Sequence, residues 1–308
     1  MPGGKAAVGY GAPVSPSRRY AATGLVVGAA ISVQFGSAVA ALVFPLAGPM
    51  GVVTLRIAVA AVILLAVLRP RLRGRTRRDW LHVAAFGIAL AAMNTLFYHA
   101  IDRIPLGIAV TFEVLGPLAV YVLLGRRAAT LLWALLALAG IYLLGGASVT
   151  ELDPVGVAFA VGAGGAWAAY IVFGARVARG FTGAEGLALA LGIGALLTVP
   201  LGWASAGSTL IDPQVLGIGV GVALLSSVVP YSLEMAALRR VSAGNFAVMV
   251  SLYPLTAALA GFLVLGQRLT AVDLLGMVLV AAAVAGATRA SAPPPPGPVI
   301  GPNPPKGG

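Results

Sequence analysis

Two residues of opposite charge, Arg56 and Glu113, stand inside long apolar stretches of this 308-residue chain. A charge in hydrocarbon is costly, so such residues normally face a protein interior or a water-filled cavity. Arg56 could hold a carboxylate through two parallel hydrogen bonds. Glu113 could hold an ammonium group, or a proton that alternates with it. The pair predicts a binding site for a zwitterion, and a purely structural salt bridge between the two is the alternative.

Glu113 lies near the middle of the stretch PLGIAVTFEVLGP, residues 105–117, which carries Gly or Pro at four positions. Pro117 has no N–H, so it leaves a carbonyl one turn earlier, near Glu113, without its helical donor. In a membrane, such groups are tolerated only where protein or a wet cavity satisfies them. A broken helix that carries a carboxylate therefore predicts a transport site, with a structural kink as the alternative.

The amino-acid composition predicts that transmembrane helices position these residues. Hydrophobic residues make up 59% of the chain and charged residues only 9%, whereas a soluble domain carries about 25% charged residues. At about 20 apolar residues per span, we expect ten transmembrane helices, roughly at 21–45, 50–68, 80–100, 105–124, 130–147, 155–174, 184–203, 213–238, 243–264 and 271–287. The predicted fold is an all-α integral membrane protein.

A weak internal repeat divides these spans into two halves. The stretch IDRIPLGIAVTFEVLGPL from Ile101 aligns without gaps with LRRVSAGNFAVMVSLYPL from Leu238. An odd number of spans per half gives the halves opposite orientation, which is a common plan of secondary transporters. We therefore expect two inverted five-helix repeats. The expected segments are a flexible cytoplasmic leader 1–19, a first repeat 20–147, a second repeat 148–290 and a disordered Pro-rich cytoplasmic tail 291–308.

Positive charges predict the orientation. Most Lys and Arg residues, including six arginines of the 69–78 loop, fall inside when both termini are cytoplasmic. That loop is interpreted as a topology anchor near anionic lipid and not as a nucleic-acid site. The expected location is the bacterial cytoplasmic membrane, crossed several times.

Polar side chains of four spans are predicted to share one level. A rise of about 1.5 Å per residue places them about 9 to 12 Å below the outer face. Tyr98 follows just above this level, toward the outside. In the second half, Trp167 and Tyr253 lie nearer mid-depth and could line a pathway, although ordinary helix packing is an equal alternative. The four residues at the shared level are Gln34, Arg56, Asn94 and Glu113.

The sequence gives little support for enzyme activity, metal binding or ATP binding. The chain has no Cys, so thiol nucleophiles and Cys-based metal sites are excluded. His82 and His99 lie at opposite ends of one span and cannot share a metal. No phosphate-binding loop ending in Lys-Ser or Lys-Thr is present, and no Ser-His-Asp arrangement stands out. We expect no enzyme activity, no cofactor and no metal.

Three stretches, which together with the spacing between them cover nearly all of residues 20–288, carry a resemblance to a known family. They are ISVQFGSAVAALVFPLAGPMGVVTLR (31–56), GIALAAMNTLFYHAIDRIPLGIAVTFEVLGPLAV (87–120) and LYPLTAALAGFLVLGQRLTAVDLLGMVLVAAA (252–283). The chain resembles the EamA-type carriers of the drug/metabolite transporter superfamily, most of all the bacterial threonine/homoserine exporters. The resemblance implies ten helices, inverted halves and export of small amphipathic metabolites against a proton gradient. Gln267 departs from the usual Gly-Glu-Xaa of relatives, which puts a loop or cap contact in doubt.

The resulting hypothesis is a secondary active exporter of small threonine- or homoserine-like amino acids, working by proton antiport and alternating access. One alternative is a broad exporter of drugs or other amphipathic metabolites in the same fold, with a pathway lined by aromatic residues such as Trp167, Tyr170 and Tyr253. A membrane scaffold or sensor without transport is a third, and it predicts no substrate-dependent flux.

Overall fold

The computed structural model describes residues 16–119, 128–146, 152–238 and 252–290 of the chain. Throughout these residues the regular elements are helices. They include a 3-10 turn (Gly207–Ile211) and a π turn (Leu224–Val228). The α-helices are α1 (Pro16–Ala41), α2 (Phe44–Leu68), α3 (Arg77–Ile101), α4 (Leu106–Glu113), α5 (Ala128–Gly146), α6 (Pro154–Gly180), α7 (Glu185–Ala206), α8 (Pro213–Ala223), α9 (Val229–Leu238), α10 (Tyr253–Leu265) and α11 (Ala271–Ala290).

Six helical stretches in the described part are long and apolar enough to cross a membrane. Shorter apolar helices cover Leu106–Ala119, Tyr253–Leu265 and Ala271–Gly286. Three leucines spaced three residues apart on α5, Leu132, Leu135 and Leu138, are each at least 60% exposed. Such a stripe is what a helix presents to lipid, because hydrocarbon is as apolar as leucine. The prediction of an all-α membrane protein is confirmed at this level, and residues 120–124, 147 and 243–251 of the predicted spans lie outside the described residues.

The second helix begins earlier in the chain than predicted. α1 ends at Ala41, and α2 already begins at Phe44, six residues before the predicted start at 50. Pro45 fits the first turn of α2, where its missing N–H has no helical partner to lose. Gly48 then adopts φ 64° and ψ 164°, a conformation that residues with a side chain avoid, so the chain kinks ahead of Pro49. An additional helical turn therefore precedes the kink.

Packing joins the two predicted halves throughout the bundle. α3 packs along α6, and α2 packs along α7. α1 lies against α9 and α10, α4 lies between α6 and α10, and α5 pairs with α11. Every one of these contacts connects a helix before residue 147 with a helix after residue 152. The core is consequently shared between the halves.

A close backbone approach joins α6 to the end of α4 and to the helical residues 115–119 that follow it. A Cβ on Gly116 would overlap the carbonyl of Gly164, and a Cβ on Gly164 would lie 2.7 Å from the carbonyl oxygen of Glu113. Only glycine fits on both sides of this crossing. Small residues of this kind let membrane helices pack with their backbones in contact, and here they hold Glu113 at a defined place.

Candidate functional site

Arg56 is the best-anchored residue of the predicted polar level. It lies in α2 and is 4% exposed. Its Nε donates to Ser227 Oγ at 3.0 Å, Nη2 donates to the carbonyl of Ser226 at 2.7 Å, and Nη1 donates to Tyr98 Oη at 3.2 Å. A guanidinium keeps its charge at all physiological pH values. The helix bundle therefore holds a permanent cation in one orientation through three neutral oxygen atoms.

The two serines belong to the π turn between α8 and α9. In this turn the N–H of Val229 donates to Leu224, five residues back. Pro230 follows, and because it lacks an N–H it cannot donate to Ser226, four residues earlier. The oxygen atom of Ser226 is consequently available to Arg56. The carbonyl of Leu225 accepts from Ser32 Oγ of α1 at 2.6 Å.

Sequence reasoning missed Ser226 and Ser227 as functional candidates. A pair of serines in an apolar span usually bonds back to its own helix, so the residue types alone do not indicate a functional site. The spacing does, because Ser226 stands four residues before Pro230. The same spacing relates Glu113 to Pro117 in the first half.

Glu113 is the last residue of α4 and is buried. Helical backbone resumes over 115–119 after an interruption at Val114. The carboxylate interacts electrostatically with Arg56, but the two do not form an ion pair in the described part of the molecule. Ion pairs described there join Arg75 to Glu185 and Arg103 to Asp153. The alternative of a direct Arg56–Glu113 salt bridge is therefore not seen in this structure.

The two predicted amides, Gln34 and Asn94, are both buried but differ in their bonding. Asn94 Nδ2 donates to the carbonyl of Leu90 in its own helix at 2.8 Å. The Oε1 atom of Gln34 has no hydrogen-bond partner among the described residues. A buried acceptor that is left unpaired costs about 1–3 kcal/mol.

The predicted aromatic residues form two contacts. Tyr98 is fully buried, packs against the rings of Phe44 and Phe97, and lies with its ring centroid 5.4 Å from Arg56 Cζ. Trp167 of α6 stacks on Tyr253 of α10, with ring centroids 6.2 Å apart and planes inclined by 25°. The structure thus joins Arg56 with Tyr98, and Trp167 with Tyr253, across different helix pairs.

Gln267 retains the cap contact that its departure from the family pattern had put in doubt. Its Oε1 atom accepts a hydrogen bond from the N–H of Leu106 at 3.0 Å. Leu106 is the first residue of α4, so the amide satisfies a helix-start donor that has no partner in its own helix. An uncharged oxygen atom is sufficient for this role.

Charged residues connect the loops at the two ends of the bundle. At one end, Arg75 donates to the carbonyl of Gly180 at 2.5 Å, pairs with Glu185 at 3.1 Å and stacks on Phe181. At the other end, Arg103 pairs with Asp153 at 2.9 Å. The hydrogen bond from Arg103 lowers the pKa of Asp153 below its usual range.

A cleft of about 500 Å³ opens beside the start of α2. It lies between α2 and the turn from α7 to α8, and none of the predicted site residues lines it. The lining residues are Leu46, Ser208, Thr209, Ile211, Asp212, Gln214 and Val215.

Apolar helices of membrane-spanning length that enclose a fixed cation and a buried carboxylate are typical of a multi-pass membrane carrier. The chain belongs to the EamA-like transporter family, whose model matches residues 154–289, within the drug/metabolite transporter superfamily. The family predicted from the sequence is confirmed.

Several known proteins are similar to the chain. The threonine/homoserine exporter RhtA of Escherichia coli K12 is 40% identical over 259 residues, covering 83% of this chain and 88% of that protein. RhtA of Salmonella typhimurium LT2 is 39% identical over the same length. The uncharacterized transporter YwfM of Bacillus subtilis is 29% identical over 210 residues, covering 65% of this chain and 70% of that protein. A solved crystal structure, 20% identical, has a TM-score of 0.59 and covers 88% of this chain and 98% of its own, which shows the fold.

Proposed function

We propose that the chain is a secondary active exporter of small threonine- or homoserine-like amino acids, driven by proton antiport and working by alternating access. The observation that carries this proposal is Arg56, a buried cation held by neutral partners. Arginine has five N–H groups, and three are donated to described residues. One N–H remains on each Nη nitrogen, and a substrate carboxylate can accept both in parallel. The RhtA relatives, whose name specifies threonine and homoserine, support the substrate class.

Glu113 is proposed to bind the substrate ammonium or a proton, in alternation. Its carboxylate feels the charge of Arg56 without being neutralised by a direct ion pair. Proton and ammonium then compete for one anion, which is the simplest physical basis of antiport. Gln34, Asn94 and Tyr98 are proposed to complete the polar site.

The packing pattern supports two inverted five-helix repeats, 20–147 and 148–290. Count α8 and α9 as one span, and replace each span by the span five positions later, returning to the first span after the last. The α3–α6 contact then corresponds to the α1–α9 contact. The α1–α10 contact corresponds to the α4–α6 contact, and α2–α7, α4–α10 and α5–α11 are unchanged. Arg56 in the first half is bonded to Ser226 and Ser227 in the second. The proposed site thus lies between the repeats, as expected for a transporter that exposes it alternately.

The orientation is tested by single cysteines in this Cys-free chain. Arg73 and Ser208 are both exposed, one in the loop proposed as cytoplasmic and one in the turn proposed as external. An impermeant maleimide should label Ser208→Cys in intact cells and Arg73→Cys only after permeabilisation. The reverse pattern would contradict cytoplasmic termini.

The function is tested in proteoliposomes loaded with labelled threonine. An acidic exterior should accelerate efflux through the wild type, because protons enter as threonine leaves. Arg56→Ala should lose this efflux while inserting at normal yield. Wild-type protein that is inserted but gives no gradient-dependent threonine efflux would contradict the proposal.

A second candidate is broad export of aromatic or amphipathic metabolites, which the Trp167–Tyr253 stack favours. Flat apolar ligands gain from such a surface through offset stacking. Competition distinguishes the two functions. Homoserine should inhibit threonine efflux strongly and an aromatic cation weakly if the amino-acid site is correct, and the order reverses for the broad exporter.

A further inference from the structure

We propose that Ser227, with the π turn that carries it, is a positioning residue that determines which edge of Arg56 meets the substrate carboxylate. This inference rests on the proposed export of amino acids. Ser227 is buried, and its Oγ atom accepts the hydrogen bond from Arg56 Nε at 3.0 Å. It is not itself placed in contact with the substrate.

The geometry of the guanidinium carries the argument. Nε and Nη2 lie on one edge of the planar group, and both face the π turn, one toward Ser227 Oγ and the other toward the carbonyl of Ser226. A carboxylate cannot bind that edge while the turn occupies it. The remaining N–H on Nη2 and the one left on Nη1 after the bond to Tyr98 are then the donors available to a substrate.

The π turn is itself held in place from the side of α1. Ser32 Oγ donates to the carbonyl of Leu225. Gly36 lets α1 approach so closely that a Cβ there would overlap Ser226 Oγ and lie 2.9 Å from Leu225 Cβ. Because Pro230 cannot donate to Ser226, the turn keeps an acceptor directed at Arg56 and not at its own helix. The position of Ser227 therefore depends on α1, on α2, which carries Arg56, and on α9, which carries Pro230.

This arrangement predicts that replacing Ser227 weakens the binding of substrates that carry a carboxylate more than the binding of those that lack one. Without the Ser227 hydroxyl, the N–H on Arg56 Nε loses its acceptor, and only the bonds to the Ser226 carbonyl and Tyr98 still orient the guanidinium. Its parallel alignment with the substrate carboxylate is then weakened. The Ser227→Ala variant should raise the KM for threonine about tenfold, the usual order for one hydrogen bond to a charged group. Maximal efflux should change little. Inhibition by threoninamide, which lacks the carboxylate, should be nearly unchanged, so selectivity for threonine over threoninamide falls by the same factor.

The experiment compares efflux kinetics of the wild type, Ser227→Ala, Ser227→Thr and Ser232→Ala in proteoliposomes with an imposed pH gradient. Ser227→Thr keeps the hydroxyl and should restore KM and selectivity. Ser232→Ala is the control, because that serine is exposed on α9 and its hydroxyl donates to the carbonyl of Val228, the last residue of the π turn, and not to a carbonyl that bonds to Arg56. It should behave as the wild type.

Two outcomes overturn the positioning role. One is a Ser227→Ala protein with wild-type KM and selectivity, and the other is a loss of maximal rate alone. If the alanine variant inserts poorly, Ser227→Cys serves instead, since a thiol is of similar size but accepts hydrogen bonds weakly, and unchanged selectivity there also overturns the role. Failure of the export proposal is recognised separately, because the wild type itself would then show no gradient-driven threonine efflux.

Discussion

Two prolines remove the helical donor of a carbonyl four residues earlier, and the protein treats the two carbonyls differently. Pro230 releases the oxygen atom of Ser226, and Arg56 reaches it at 2.7 Å. Pro117 releases the oxygen atom of Glu113, and there the backbone of Gly164 packs against it. The same backbone defect therefore serves as a polar anchor where an arginine faces it, and as a close helix contact where a glycine does.

The difference extends to the charges beside each proline. Arg56 is fixed by three hydrogen bonds to described residues, whereas the Glu113 carboxylate has no hydrogen bond to any of them. This difference is consistent with the proposed site, in which Arg56 would bind the substrate carboxylate in each cycle and Glu113 would alternate between a proton and the substrate ammonium. This asymmetry can be tested from both sides.

Exchanging the two charges should have the largest effect. In Arg56→Glu with Glu113→Arg, a carboxylate would face the carbonyl of Ser226, an acceptor that it repels. We expect at least a hundredfold loss of threonine efflux, the order of one buried charge without a partner, about 3 kcal/mol or more. Efflux rates in proteoliposomes measure it, with insertion checked by labelling. Full recovery in the double variant would establish a simple salt bridge and remove the asymmetry.

Neutralising the anion should uncouple transport without removing binding. Glu113→Gln retains shape and hydrogen bonding but carries no ionisable proton. Acceleration of threonine efflux by an acidic exterior should be lost, because the variant has no carboxyl at this position to exchange a proton. Threonine/threonine exchange without a gradient should persist. A variant that still responds to the gradient as the wild type does would exclude Glu113 from coupling.

Filling the α4–α6 crossing should mainly reduce stability. Gly164→Ala would place a Cβ 2.7 Å from the oxygen atom of Glu113, and neither backbone can give way easily. Overpacking of this kind costs about 1–3 kcal/mol, so the melting temperature should fall. Gly165→Ala is the matched control, because a Cβ there meets nothing within 4 Å. Equal melting temperatures for the two variants would contradict the close contact.

The smallest expected effect is a gain in stability. The Oγ atom of Ser226 is buried and has no hydrogen-bond partner among the described residues. Ser226→Ala keeps the carbonyl that Arg56 uses and should stabilise the protein by about 1 kcal/mol. Ser37→Ala is the comparison, since Ser37 Oγ has a partner, the carbonyl of Val33 at 2.9 Å. A melting temperature that does not rise for Ser226→Ala would indicate that its hydroxyl is satisfied.

That the polar residues of the apolar spans face the protein interior could be predicted from the sequence, because exposing them to hydrocarbon is costly. Gln34, Arg56, Asn94 and Glu113 are all buried, and their shared depth stays a prediction. Their partners could not be derived in the same way. Arg56 bonds to residues about 170 positions later, and the π turn that presents them depends on how α1 and α2 pack against α8 and α9.

The fold shows the same division between local and long-range information. The helix over 213–238 follows the predicted span closely, because Pro213 marks its start. The early start of α2 was missed because it depends on a positive φ at Gly48, and a glycine in sequence does not reveal whether that freedom is used. The cap made by Gln267 on Leu106 likewise requires the α4–α10 packing to be known.

The contacts that Arg75 makes with Gly180, Phe181 and Glu185 have a kinetic consequence for the proposed cycle. They join the α2–α3 loop to Gly180 and Glu185 in the second half, at the end proposed as cytoplasmic. In the proposed cycle, opening that end would separate an ion pair, a hydrogen bond and a stacking contact, and their loss would add to the activation barrier of reorientation. The side chains of the ion pair are about one-fifth exposed, so dissolved salt screens it in part, over a Debye length of about 8 Å at physiological ionic strength. We therefore expect turnover to quicken as cytoplasmic ionic strength rises.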